Sequence, residues 1–313
     1  MRPLLPRTEK PLPMPPTSHY LVCAGREIHY TDWQPGAGAA RGTVVAWHGL
    51  ARTGRDMDEL AAHLSARGWR VLCPDTVGRG LSQWAAEPKD EYCLAFYARI
   101  AREFLVQLGI EQCHWVGTSM GGAIGTVGAS GCFEPELQRR IRSLVLNDNA
   151  PQLAQPALER IKAYAGQPPA FARVTELEAF LRAAYKPYGL LTDAQWRRLT
   201  ETSTRRLPDG RVTPHYDPAI VGQFVHYPDD YLLWHHYDAL AIPVLLLRGV
   251  DSDLVLKATA EQMRTRGPGA RGQLQWVEVP GCGHAPALNV AEQLNWVTDF
   301  IEGVQQPAAV LAA

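Results

Sequence analysis

The sequence predicts an α/β fold: a mainly parallel β-sheet covered by helices on both faces and interrupted by a helical insertion. Three observations carry that reading. Short apolar runs ending in turn residues alternate with longer stretches at helical spacing over 18–150 and again over 242–304, and strands buried on both faces read as such continuous runs. The rhythm breaks over 151–241, where aromatic residues and prolines are dense. A chain of 313 residues, 46% of them hydrophobic, is long enough for one large core plus an insertion.

The elements follow in order. Met1–Pro16 is proline-rich with Arg2, Arg7 and Lys10, so residues 1–17 are expected to be a flexible leader. His19 to Trp33, with Ala24-Gly25 between two alternating arms, predicts a hairpin. Thr43 to Trp47 reads as a buried strand and Met57 to Ala66 as an amphipathic helix. A second strand, Arg70 to Cys73, stops at Pro74-Asp75, and a glycine-rich loop, Gly78 to Gly80, follows. Then come a helix from about Leu94 to Leu108, a strand starting at Cys113, a helix of small residues over Gly121 to Ala129, and a strand from Ser143 to Leu146.

Residues 151–241, from Tyr164 to Tyr237 rich in aromatics, carry helix-like spacing and no convincing buried strand, which predicts a helical cap. The alternation resumes with a strand at Pro243 to Leu247, a helix near Ala258 to Thr265, a strand at Gln273 to Val279 and a closing helix from Val290 to Ile301. Residues 305–313 are expected to fray.

Composition excludes several functions. Thirty-one basic and thirty-two acidic side chains leave a net charge of −1 with no basic block, so nucleic acid and anionic membranes are poor partners. No run of eighteen apolar residues and no secretion-signal core occur, which predicts a soluble, cytoplasmic protein without membrane insertion. The six cysteines, at 23, 73, 93, 113, 132 and 282, are scattered and form no Cys-x-x-Cys pair. Buried reduced thiols are expected rather than a zinc site.

The chemistry is concentrated where the Cys113 strand runs into Gly117-Thr118-Ser119-Met120-Gly121. A strand that ends on a serine and turns at once into a helix is a nucleophile elbow. A β-carbon at either outer glycine would collide with its neighbours, and the serine stands strained at the apex. A serine hydroxyl needs a base and a group to orient that base. His284, in Gly281-Cys282-Gly283-His284-Ala285-Pro286 beyond the last strand, is the candidate base.

For the acid, Asp251 and Asp253 follow the strand after the insertion, where catalytic groups gather in open α/β sheets. Asp253 is preferred; Asp251 is expected to cap the helix starting near Val255. Asp148, in Leu146-Asn147-Asp148-Asn149, competes for the role from the mouth of the preceding strand. An oxyanion needs donors already in place. The Met120 amide, at the helix N-terminus, supplies one, and the Leu50 amide in His48-Gly49-Leu50 is assigned as the second.

Taken together, His48-Gly49, Asp75-x-x-Gly78-x-Gly80-x-Ser82, Gly117-x-Ser119-x-Gly121, Asp253 and Gly283-His284 resemble the α/β-hydrolase superfamily, in its cap-bearing serine esterase and C–C hydrolase branch. The resemblance runs from Tyr20 to Ile301 and implies an eight-stranded-type sheet. It departs at one place: many members carry the acid three residues after the strand-end glycine, which here is Ser252. The resemblance implies ester hydrolysis through an acyl-enzyme with no metal or organic cofactor. A serine at the elbow argues against dehalogenases and epoxide hydrolases, whose nucleophile is an aspartate.

The expected substrate is a small, largely apolar carboxylic ester, taken by a monomer or homodimer. Trp47, Trp84, Tyr185, Tyr188, Trp234 and His235 are candidate pocket residues. Three alternatives stand beside this reading: a C–C hydrolase of a ring-cleavage diketone, for which Arg182, Lys186 and Arg197 are available to hold a carboxylate; a cofactor-free acyltransferase or perhydrolase; and a ligand receptor on the same fold.

Overall fold

A computed structural model describes residues 15–305. Most of the expected leader and the tail after Gln305 lie outside the described residues. The opening hairpin consists of β1 (Thr17–Cys23) and β2 (Arg26–Trp33), with Ala24 and Gly25 both at positive φ in the turn. The other strands of the main sheet are β3 (Thr43–Trp47), β4 (Arg70–Pro74), β5 (Cys113–Thr118) and β6 (Ile141–Asn147). A small ribbon, β7 (Thr204–Arg206) with β8 (Val212–Pro214), lies within the insertion, and β9 (Val244–Gly249) and β10 (Leu274–Val279) complete the sheet.

Eight strands are ordered β1-β2-β4-β3-β5-β6-β9-β10. The hairpin joins β4 antiparallel at one edge, and every pair from β4 to β10 is parallel. The period-2 alternation of the strands sorts their side chains between two cores. Val45, Trp47, Trp115, Leu144 and Leu246 join the helices Leu94–Gln107 and Met120–Ser130 on one face. Val44, Ala46, Val116, Val145 and Leu247 join Asp58–Ser65 and Ala291–Gln305 on the other. Each fully buried aliphatic contributes about 1.5–3 kcal/mol, so a one-residue slip of a central strand would exchange both faces at once.

Between β6 and β9 the chain forms helices at Gln155–Ala165, Val174–Ala184 and Asp193–Thr202, with shorter turns. This stretch shares the core: Ile161, Tyr216, Phe224, Tyr231 and Tyr237 pack into the first face's cluster. The β7–β8 ribbon corrects the expectation of no convincing buried strand there, because β8 is buried throughout. Its turn, Pro208-Asp209-Gly210 with Gly210 at φ 86°, was written in the sequence, but three-residue strands carry too little periodicity to stand out. All six thiols are free, and Cys132 departs from the expectation by being exposed.

Candidate active site

At the end of β5 the backbone turns through Ser119 at φ 52°, ψ −116°, a conformation unfavourable for any residue with a side chain. Neighbours force it. The Ser119 amide donates to Asn147 O at 2.9 Å, and its carbonyl accepts from Gly122 and Ala123 as the helix begins. A Cβ on Gly117 would stand 2.2 Å from the Gly121 carbonyl, and one on Gly121 would stand 2.3 Å from the Trp47 carbonyl. Only glycine permits β3, β5 and the helix to approach this closely. The Met120 amide, first in the helix Met120–Ser130, has no intrahelical acceptor and donates to nothing among the described residues, at a positive helix end.

The second expected donor, Leu50, follows β3 in a loop held by buried groups. His48 Nδ1 donates to Gly49 O at 2.6 Å, while its Nε2 accepts from the Thr76 amide at 2.9 Å. Burial first, against smaller opposing effects of Asp75 and the Gly49 carbonyl, lowers the His48 pKa to about 4, so the ring is neutral. Arg79, fully buried, donates from Nε to Leu50 O at 2.8 Å and from Nη1 to Tyr97 Oη at 3.0 Å, and its Nη2 lies 3.4 Å from Met120 Sδ. Arg79 therefore touches both residues of the expected oxyanion site. Asp75 anchors the same loop, accepting from the amides of Gly54 and Leu81 and from His29. Burial raises its pKa, but these donors and the nearby His48 outweigh that and hold it below the usual carboxylate range.

His284 stands beyond β10 in a loop tied on two sides. The Gly283 amide donates to Pro187 O at 2.7 Å, and Asn147 Nδ2 donates to Pro286 O at 2.8 Å. Its Nδ1 lies 2.7 Å from Asp148 Oδ2. Asp148 is fully buried at the end of β6 and also accepts from the Gly249 amide at 2.9 Å and Ser252 Oγ at 2.6 Å.

The carboxylate against the imidazole is thus the alternative, Asp148, and not the preferred Asp253. After β9 the side chains alternate: Asp251 and Asp253 are exposed, while Ser252 and Leu254 point inward. Asp253 pairs with Arg160 at the surface. Asp251 does not cap a helix either, because the next one, Lys257–Met263, begins later behind Leu256. Ser252, the position at which many proteins of the resembling family carry the acid, here hydrogen-bonds to Asp148. Ser252 is therefore a contact that the sequence reading missed, although its place was marked.

Ser119 and His284 open on one cavity of about 260 Å³, lined also by Leu50, Arg52, Tyr164, Tyr185 and Tyr188. No hydrogen bond joins Ser119 Oγ to the imidazole among the described residues; such contacts often tighten only with substrate bound. Of the candidate pocket residues, Tyr185 and Tyr188 line this cavity. The other four aromatic candidates do not. Trp47 is buried in the core, stacked on Trp115 at 5.0 Å, and Trp84 sits beneath Arg205. Trp234 binds Gln152 and stacks under Arg266, while His235 contacts Cys132. Arg182 pairs with Glu178 and Asp193, and neither it nor the exposed Lys186 and Arg197 borders the cavity.

Among the described residues no helix is long and apolar enough to cross a membrane, and no cluster of three or more His, Cys, Asp or Glu is grouped to hold a metal. Residues 42–289 match the family model described as alpha/beta hydrolase fold. A 3-hydroxybutyrate-oligomer hydrolase of Cupriavidus necator is 36% identical over 283 residues, covering 88% of this chain and 92% of that protein. An alpha/beta hydrolase from Novosphingobium aromaticivorans superimposes with a TM-score of 0.79 at 31% identity, over 92% of this chain and 98% of that one. E-2-(acetamidomethylene)succinate hydrolase aligns with a TM-score of 0.76 at 25% identity, over 92% and 99% of the two chains.

Proposed function

We propose that this chain, which belongs to the α/β-hydrolase fold family, cleaves a small, largely apolar carboxylic ester through an acyl-enzyme on Ser119. The contact that carries this reading is Asp148 Oδ2 to His284 Nδ1, 2.7 Å apart beside the cavity that Ser119 faces. A carboxylate accepting from Nδ1 fixes the tautomer that leaves Nε2 free to take a proton. Ser119 Oγ attacks the ester carbonyl as its proton passes to His284 Nε2, and the oxygen that becomes negative is met by the Met120 and Leu50 amides. The intermediate collapses, the alkoxide leaves with the proton from His284, and water repeats the sequence on the acyl-enzyme. Asp148 serves throughout as the orienting acid, favouring the imidazolium.

The Cupriavidus necator relative is named for hydrolysing 3-hydroxybutyrate oligomers, so short hydroxyacid esters belong in the first substrate panel. The test is turnover of p-nitrophenyl esters of graded acyl length by the wild type and by Ser119→Ala. Rates should be highest for short chains and fall about a thousandfold or more in the variant, the scale on which nucleophile removal acts. Unchanged turnover in Ser119→Ala would sink the reading.

A further inference from the structure

We infer that Arg52 is a substrate-binding residue that donates to a second, uncharged carbonyl oxygen on the acyl side of the ester, so that the preferred substrate is a dicarbonyl ester rather than a plain alkanoate. This rests on the ester-hydrolase reading and adds to it a specificity determinant. Arg52 follows the oxyanion loop, and its side chain is 4% exposed. A Cβ on Gly49 would meet Ser119 Cβ at 3.6 Å and Arg52 Cγ at 3.9 Å, so the two side chains flank Gly49 together. Both line the same cavity.

The guanidinium is held rigidly and used incompletely. Nε and Nη2 grip Asp56 at 2.7 and 2.6 Å, Nη2 also donates to Ser203 Oγ at 2.9 Å, and the group lies 4.6 Å from the Tyr185 ring centre. Nη1 donates to nothing among the described residues, and it is not sealed off by its neighbours. A donor left over on a fixed side chain that is more than nine-tenths buried and lines a cavity calls for an acceptor from the ligand.

Charge decides which acceptor. Asp56 already neutralises Arg52, Asp253 neutralises Arg160, and Asp251 adds a further negative charge to the lining. A ligand carboxylate would enter a site with no cation to spare, whereas a ketone or ester carbonyl accepts from Nη1 without adding charge.

The experiment compares three p-nitrophenyl esters: the 3-acetoxybutanoate, its hydrocarbon isostere 3,5-dimethylhexanoate, and the hydrogen adipate, each rate divided by that ester's hydroxide-catalysed rate. Wild-type kcat/KM should favour the acetoxy ester over the isostere by about tenfold, the scale of one charge-assisted hydrogen bond, and over the adipate by at least as much. In Arg52→Lys and Arg52→Gln the acetoxy-to-isostere ratio should shrink to within about twofold. A wild-type ratio near one, a ratio unaltered in a folded variant, or preference for the adipate overturns the inference, and the wild-type ratio decides alone if neither variant folds. Ser119→Ala separates the two readings: normal turnover there removes the esterase, while an inactive Ser119→Ala beside a wild-type ratio of one removes only the role of Arg52.

Discussion

Asp148 and Asp253 show why a carboxylate's identity says less than its surroundings. One is sealed beneath His284 with two further donors; the other is half exposed and paired with Arg160. Asp148→Asn should therefore lower kcat by about a thousand- to ten-thousandfold, the effect expected when an imidazole loses its orienting acid. Asp253→Asn should stay within about threefold, since an exposed ion pair contributes little. Steady-state rates on one p-nitrophenyl ester check both, and the opposite ranking would return the acid to β9. The strained turn at Ser119 and the loop that carries His284 were legible because glycines punctuate them. The carboxylate against His284 was not, because β6 and β9 are neighbours and acidic residues follow both; only the phase of the Asp251–Leu254 alternation turns Asp253 outward and Ser252 toward Asp148. His48 carries a pH prediction. Its ordinary value of 6.5 falls to about 4 on burial, so below pH 6.5 the unfolded chain takes a proton that the folded chain refuses until about pH 4. The stability this group gives at neutral pH is lost as pH falls through that window, on the order of 3 kcal/mol. Urea midpoints at pH 7 and 4.5 should fall steeply for the wild type and less steeply for His48→Gln.

At the level of elements, the elbow works through close approach, and two glycines in helices separate that requirement from mere conformational freedom. Gly121→Ala places a methyl 2.3 Å from the Trp47 carbonyl, backbone that cannot move without displacing β3. It should cost more than about 3 kcal/mol, or prevent folding. Gly303→Ala, in the closing helix with nothing within 4 Å of its new carbon, should stabilise by about 0.5–1 kcal/mol. Thermal melts measure both, and a neutral Gly121→Ala would contradict the packing described. The same closeness explains what the sequence disclosed. Strands buried on both faces must be apolar throughout, so β3, β5, β6 and β9 were visible as runs. The insertion hides its order because its aromatic residues face a shared core from short, irregular pieces: Tyr216, Phe224 and Tyr231 are eight and seven residues apart, as on one helix, yet each sits on a different turn or short segment.

Across the whole molecule, the candidate site is assembled from the carboxyl ends of five parallel strands, and its parts are separated by up to 234 positions between Leu50 and His284. Something must hold loops so distant in sequence at fixed spacing. Arg79 does so for the two proposed oxyanion donors, since one guanidinium reaches the Leu50 carbonyl, Met120 Sδ and Tyr97 Oη from the loop after β4. It has no carboxylate partner among these contacts, and the faces of Tyr92 and Tyr97 lie 5.5 and 5.3 Å away. A lysine would keep the charge but lose the fork that reaches several acceptors together. Because oxyanion donors act on charge that exists only in the transition state, loosening them lowers kcat and spares KM. Arg79→Lys should reduce kcat by about ten- to a hundredfold, short of the loss of a whole donor, with KM within about twofold. A rise in KM at constant kcat would assign Arg79 to the substrate pocket instead, and wild-type kinetics would mean that the Leu50 and Met120 amides keep their aim without it.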